Sequence, residues 1–159
     1  MTQKNNHPVQ DYHVTVTRQD ESHALAETCG HRLSLNIKKG AGDAGFNAAE
    51  TLLAALGACI LTNVNAIGEK MHLCINDARI EFDAVRRKDP PALVEIHYRL
   101  ILKSPEPAEK LAELYDLCIK WGTVTNTVIN GLTPQGELVV EKPAWEGRVR
   151  TSFLSAAER

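Results

Sequence analysis

Asn47-Ala48-Ala49-Glu50-Thr51-Leu52-Leu53-Ala54-Ala55-Leu56-Gly57-Ala58-Cys59-Ile60-Leu61-Thr62-Asn63-Val64-Asn65-Ala66-Ile67-Gly68-Glu69-Lys70-Met71 reads as one long helix. Asn47 with Glu50 three residues on is a capping-box start. No residue from Thr51 through Gly68 is charged, and this run nears the length of a membrane span. It also carries Thr51, Thr62, Asn63 and Asn65 and lacks aromatic anchors, so the expected setting is a globular core. One cysteine, Cys59, lies at the centre among alanines and a glycine. Small neighbours let other segments approach a thiol closely, which suits either inert core or a thiol-chemistry site.

Working outward, the chain reads as α+β. Tyr12–Arg18 alternates like a half-buried strand, and Ala24–Thr28 and His31–Ile37 continue through Gly30 as an antiparallel meander. Lys38–Gly45 is a glycine-containing loop before the long helix. Beyond it, Leu73–Arg87 and Ala92–Lys103 are long strand patterns split by Lys88-Asp89-Pro90-Pro91, which predicts a hairpin. Ser104-Pro105-Glu106-Pro107 opens a second helix running to about Trp121, and Thr123–Asn130 is a short helix that stops at Gly131. Glu137–Glu141 reads as a last strand. Residues 1–11 are polar and expected to be mobile, and 143–159 is a tail with no legible element. With neither repeat nor linker, 1–159 reads as a single domain.

Composition narrows the function. The formal net charge of −2 comes with no basic patch or acidic tract, which argues against a nucleic-acid partner. Four cysteines, Cys29, Cys59, Cys74 and Cys118, are too scattered for a disulfide-stapled secreted domain, so reduced thiols in the cytoplasm are expected. The first residues lack an apolar signal core. Gly40-Ala41-Gly42-Asp43-Ala44-Gly45 matches G-x-G-x-x-G, but the helix cap falls after the last glycine and the chain lacks βαβ alternation, so a flexible loop is the better reading. Cys29-x-His31 and His72-x-Cys74 are spaced to share strand faces, yet nothing in the sequence brings the pairs together, and neither a metal nor another cofactor is expected. No G-x-S-x-G or comparable hydrolase signature occurs.

The segment from Asn47 to Cys59 resembles the central-helix motif of the OsmC/Ohr family, the osmotically inducible and organic-hydroperoxide-resistance proteins. The Gly30-His31-Arg32-Leu33 strand, the glycine-containing loop, the long hairpin and Val124-Thr125-Asn126-Thr127-Val128 fall in that family's order. The resemblance implies an α+β fold in which two chains intertwine as a homodimer, with curved antiparallel sheets around long central helices and active sites at the subunit interface. It further implies thiol-dependent reduction of organic hydroperoxides in oxidative-stress defence, as by a peroxiredoxin-like thiol peroxidase. The residue matching Cys59 attacks the peroxide as a thiolate and becomes a sulfenic acid, a second cysteine condenses with it, and a dithiol reopens the disulfide.

An ordinary thiol is only about 3% ionised at neutral pH, so the thiolate needs a cation nearby. Cys59 is mid-helix, beyond reach of the positive helix end. The family uses an arginine of the N-terminal sheet, for which Arg18 is the best positional match and Arg32 the runner-up; either also fits a solvated strand arginine. Glu50 resembles the family's helix-start acid that orients the arginine. Nine helical residues place it about 180° around from Cys59, so within one helix it has no direct contact, and capping Asn47 is its other role.

The departure from the family is at the second cysteine. Aligning Thr125-Asn126-Thr127 on the family's S-N-T puts Gly122 at that position. Cys118, one turn earlier if the helix continues, is displaced by about 6 Å along the axis, near the limit of disulfide reach. Two readings stand. In one, Cys59 reduces an apolar hydroperoxide and is resolved by Cys118 or an external thiol or dithiol. In the other, the fold is a non-catalytic or sensing module that binds a small apolar or thiol-reactive ligand at the dimer interface. Cys29 and Cys74 are expected to be strand thiols without a family role.

Overall fold

The computed structural model describes residues 10–40, 45–131, 138–141 and 148–151. Three strands, β1 (Thr15–Arg18), β2 (His23–Thr28) and β3 (His31–Asn36), form an antiparallel sheet in the order β1-β2-β3. Asp20 shapes the first turn by accepting from the Ser22 and His23 amides, at 2.7 and 2.8 Å. Cys29 and Gly30, both at positive φ, make the second, leaving Thr28 opposite His31. The sheet is only partly covered: Ala24 and Asn36 are buried, while Val16 and Leu33, with Val14 and Ile37 just beyond the strands, stay exposed.

Helix α1 (Ala48–Lys70) is built as its termini prescribe. The Asn47 side chain accepts from the amides of Ala49 and Glu50, at 2.9 and 3.0 Å, and Glu50 Oε2 accepts from the Asn47 amide at 2.9 Å. Among the described residues α1 is the one helix long and apolar enough to cross a membrane. Its buried residues, Leu56, Gly57, Ile60, Val64 and Gly68, instead form a single stripe packed against protein. The expectation of a helix buried in a core is therefore corrected: one face is buried, while Leu52 is exposed.

The hairpin of β4 (Asp77–Arg87) and β5 (Ala92–Lys103) packs on α1 through β4. Gly57 permits that approach, because a Cβ there would lie 3.0 Å from Phe82 Cε2 and 3.1 Å from Ile80 Cγ2. Extended pairing starts four residues later than expected, at Asp77, because His72 turns the chain at φ 55° after the helix. Leu73 and Ile75 are still drawn into the core.

Helices α2 (Ala108–Lys120) and α3 (Thr123–Asn130) complete the body, both packed against α1. Val64, Leu114 and Cys118 form the core, with Ile67, Met71, Leu100 and Leu102 against it. The described structure ends in a strand pair, β6 (Leu138–Glu141) with β7 (Arg148–Thr151). The second of these was not legible, since Arg148-Val149-Arg150-Thr151 offers one apolar residue. The rest of the 143–159 tail, residues 1–9, the loop at 41–44 and Glu137 lie outside the described residues.

Candidate active site

Cys59 lies half-buried at the middle of α1, facing the break between α2 and α3. Trp121 ends α2, and Gly122 begins α3 in an extended conformation at φ −80°, ψ 118°. Asn126 fixes the break: its amide donates to the Gly122 carbonyl at 2.9 Å and its side chain to the Lys120 carbonyl at 3.1 Å. Asn63 Nδ2 donates to the Cys118 carbonyl at 2.8 Å and ties α1 to α2. The result is close apposition of two distant parts of the chain. A Cβ on Gly122 would lie 3.3 Å from Cys59 Sγ, 2.5 Å from Thr125 Oγ1 and 2.9 Å from Thr125 Cβ. Thr125 is 6% exposed, and its Oγ1 has no hydrogen-bond partner among the described residues.

A groove of about 460 Å³ runs along α1 past Asn63, Ala66 and Ile67 to Leu117 and Trp121. Asn63 and Ala66 follow Cys59 at the spacing of one helix face, so the groove leads towards the thiol. Its lining is overwhelmingly apolar. Trp121 is exposed and has Lys120 Nζ 5.5 Å from its ring centroid.

Cys118 does not occupy the place expected for a substitute second cysteine. The helix that carries it stops at Lys120, so Cys118 and Gly122 do not share one helical face. The thiol is fully buried between Val64 and Leu114, and burial pushes its pKa up to about 11 from an ordinary value of 9.0. Between those values the unfolded chain has lost the proton that the folded chain keeps. Stability is thus unaffected by this group below pH 9 and falls as pH rises towards 11. Cys118→Ala is expected to flatten that alkaline decline in denaturant titrations from pH 8 to 11; an unchanged slope would contradict this role.

The arginines are placed differently from one another. Arg32 on β3 is bound to Glu27, its cross-strand neighbour, with Nε 2.9 Å from Oε1. Arg18 at the end of β1 is exposed and makes no ion pair or hydrogen bond among the described residues. Neither donates to Cys59 within the protomer. Glu50 closes the capping box, which is the helix-starting role, and makes no contact with an arginine there. Cys29 sits in the β2–β3 turn, and Cys74 precedes β4 with its amide bonded to Glu106 Oε1 at 3.0 Å, so neither is a strand thiol. Among the described residues no group of three or more His, Cys, Asp or Glu is placed to hold a metal. The placement of Thr125 beside Cys59 and Gly122 was not expected from the sequence; its correspondence to the family's Ser was the available signal.

A family model described as OsmC-like protein matches residues 39–135, which span α1, the hairpin, α2 and α3. The chain belongs to the OsmC-like protein family. The OsmC-like chain is 26% identical over 121 residues to a hydroperoxide reductase of Mycoplasma genitalium, covering 74% of this chain and 86% of the relative. An OsmC-like protein from Mycoplasma pneumoniae superimposes with a TM-score of 0.70 at 22% identity, over 76% of this chain and 88% of that one. The organic hydroperoxide resistance protein OhrB of Bacillus subtilis does so with a TM-score of 0.55 at 16% identity, over 75% and 90%. These likenesses establish the α+β OsmC-like fold, and the family includes members named for hydroperoxide reduction and resistance.

Proposed function

We propose that this OsmC-like chain is a thiol peroxidase that reduces organic hydroperoxides through Cys59. The observation that carries the reading is the 3.3 Å approach of the Gly122 Cβ position to Cys59 Sγ: the segment aligned with the family's second-cysteine motif is folded onto the first cysteine. In the step, the Cys59 thiolate attacks one peroxide oxygen. An S–O bond forms, the O–O bond breaks, and the departing alkoxide takes up a proton as the alcohol. Sulfur is oxidised by two electrons and the peroxide reduced by two.

An external thiol, rather than Cys118, then resolves the sulfenic acid, because Cys118 is sealed in the core and held as a thiol. Its sulfur attacks Cys59 Sγ, the oxygen leaves as water, and a second thiol equivalent releases Cys59. The groove that leads towards Cys59, apolar apart from Asn63 and Lys70, suits an alkyl chain.

A homodimer fits the exposure of Val16, Leu33 and Leu52, apolar side chains that a second copy would cover. In that dimer Arg18 of one copy activates Cys59 of the other, with Glu50 near the interface. The cytoplasm, with its external thiols, is the fitting compartment. A second reading, a sensing module without turnover, is favoured by Gly122, which removes the fast intramolecular resolver.

Steady-state consumption of cumene hydroperoxide with an excess of external monothiol tests the choice. The peroxidase reading expects one peroxide consumed per two thiols, a faster rate than with hydrogen peroxide, and only background consumption in Cys59→Ser. Oxidation of Cys59 without turnover would select the sensing module.

A further inference from the structure

Beside Cys59 lies a feature that peroxide reduction by itself does not require: a buried hydroxyl with nothing to bond. Thr125 Oγ1 is inaccessible and unpartnered among the described residues, although a buried hydroxyl in that state is costly. It lies 2.5 Å from the point where a Gly122 Cβ would stand, and Cys59 Sγ lies 3.3 Å from the same point. Hydroxyl and sulfur thus both border the notch left by the missing Gly122 side chain, and no hydrogen bond joins them. Gly122 is buried, so its notch is closed to a bulky molecule. The point is too crowded by Thr125 for a carbon, whereas 2.5 Å from a hydroxyl is the near limit of an O–H···O hydrogen bond, so an oxygen carried on Cys59 Sγ beside that point is the atom it suits.

We propose that Gly122 and Thr125 form a one-atom pocket that holds the oxygen of a Cys59 sulfenic acid, with Thr125 Oγ1 as its hydrogen-bond donor. The inference rests on the reading of Cys59 as peroxidatic. Once the S–O bond has formed, rotation about Cβ–Sγ swings the oxygen into the notch, where it accepts from Thr125. Attack at the sulfur proceeds opposite the S–O bond, so an oxygen seated here turns the reactive side of sulfur towards the open side of the half-buried cysteine. An external thiol approaches from that side. The glycine that removes the second cysteine therefore makes room for a longer-lived sulfenic acid, and Thr125 steadies it.

The test compares wild type, Thr125→Val and Thr125→Ser. Each fully reduced protein receives a pulse of hydrogen peroxide, which is then removed by catalase with no thiol added. Mass spectrometry follows the decay of the one-oxygen form of Cys59. Valine keeps the shape and lacks the donor, so the half-life is expected to shorten about fivefold, the scale of one lost hydrogen bond. Serine is expected to preserve it. Thr125→Val also deletes an unpartnered hydroxyl, so the reduced variant should melt no lower than wild type, which separates the effect from misfolding. Equal half-lives in all three proteins, or no one-oxygen form of Cys59 in wild type, would overturn the pocket. A parallel pulse of cumene hydroperoxide reads the functional proposal separately: no oxidation of Cys59 by it, with a normal result from hydrogen peroxide, would remove the substrate reading and leave the pocket standing.

Discussion

Gly122→Cys combined with Thr125→Ser is expected to turn this chain into a two-cysteine enzyme, with a disulfide to Cys59 on addition of peroxide. A Cβ at position 122 is 3.3 Å from Cys59 Sγ, within reach of a Cβ–S–S bridge whose S–S bond is about 2.05 Å. The backbone at φ −80° accepts any side chain. The obstacle is Thr125, whose Oγ1 and Cβ lie 2.5 and 2.9 Å from the new atom. Serine there removes the methyl group and frees the hydroxyl to rotate. Condensation of the introduced thiol with the Cys59 sulfenic acid releases water, and a dithiol then becomes a better reductant than a monothiol. Peptide mapping after one peroxide equivalent should find the 59–122 link in nearly every variant chain and no intramolecular link in wild type. A Cys59–Cys118 disulfide in wild type would contradict the placement of Cys118.

Arg18→Ala should slow Cys59 oxidation at neutral pH by about tenfold or more, because an ordinary thiol is only about 3% ionised there while one stabilised by a cation is mostly ionised. Arg18 is the candidate because it is uncommitted among the described residues, whereas Arg32 is already paired with Glu27. Arg32→Ala should therefore leave the rate within about twofold, in keeping with the small worth of exposed ion pairs. Mixing Arg18→Ala protein with Cys59→Ser protein at equal concentration distinguishes the subunits. If the arginine acts across the interface, mixed dimers carry one site with both residues lost and one wild-type site with both kept; the second restores activity.

What was legible in the sequence was local. The Asn47–Glu50 capping box, the Ala92–Lys103 strand and the Thr123–Asn130 helix are specified by residues within a few positions of each other, and each was found where expected. The late start of β4 was hidden because no glycine marks the turn: His72 takes a left-handed conformation that residues other than glycine adopt only uncommonly. The break at Trp121–Gly122 was legible, with one helix pattern ending at about Trp121 and the next starting at Thr123, but what holds it was not: the Asn126 side chain reaches back to the Lys120 carbonyl, a contact absent from helix periodicity. The site divides in the same way. Cys59 was visible from its setting among small residues, but its apposition to Gly122 links elements separated by the entire hairpin. Only the family resemblance pointed there. The unpartnered hydroxyl of Thr125 depends on three-dimensional packing and could not be read from a list of residues.

The most direct measurement is stopped-flow reaction of fully reduced protein with cumene hydroperoxide, with mass-spectrometric mapping of trapped sulfenic acid on each of Cys29, Cys59, Cys74 and Cys118. Rapid oxidation confined to Cys59, and lost in Cys59→Ser, is the predicted result. Slow oxidation spread over the exposed thiols Cys29 and Cys74 as well as Cys59 would contradict a peroxidatic site in this fold.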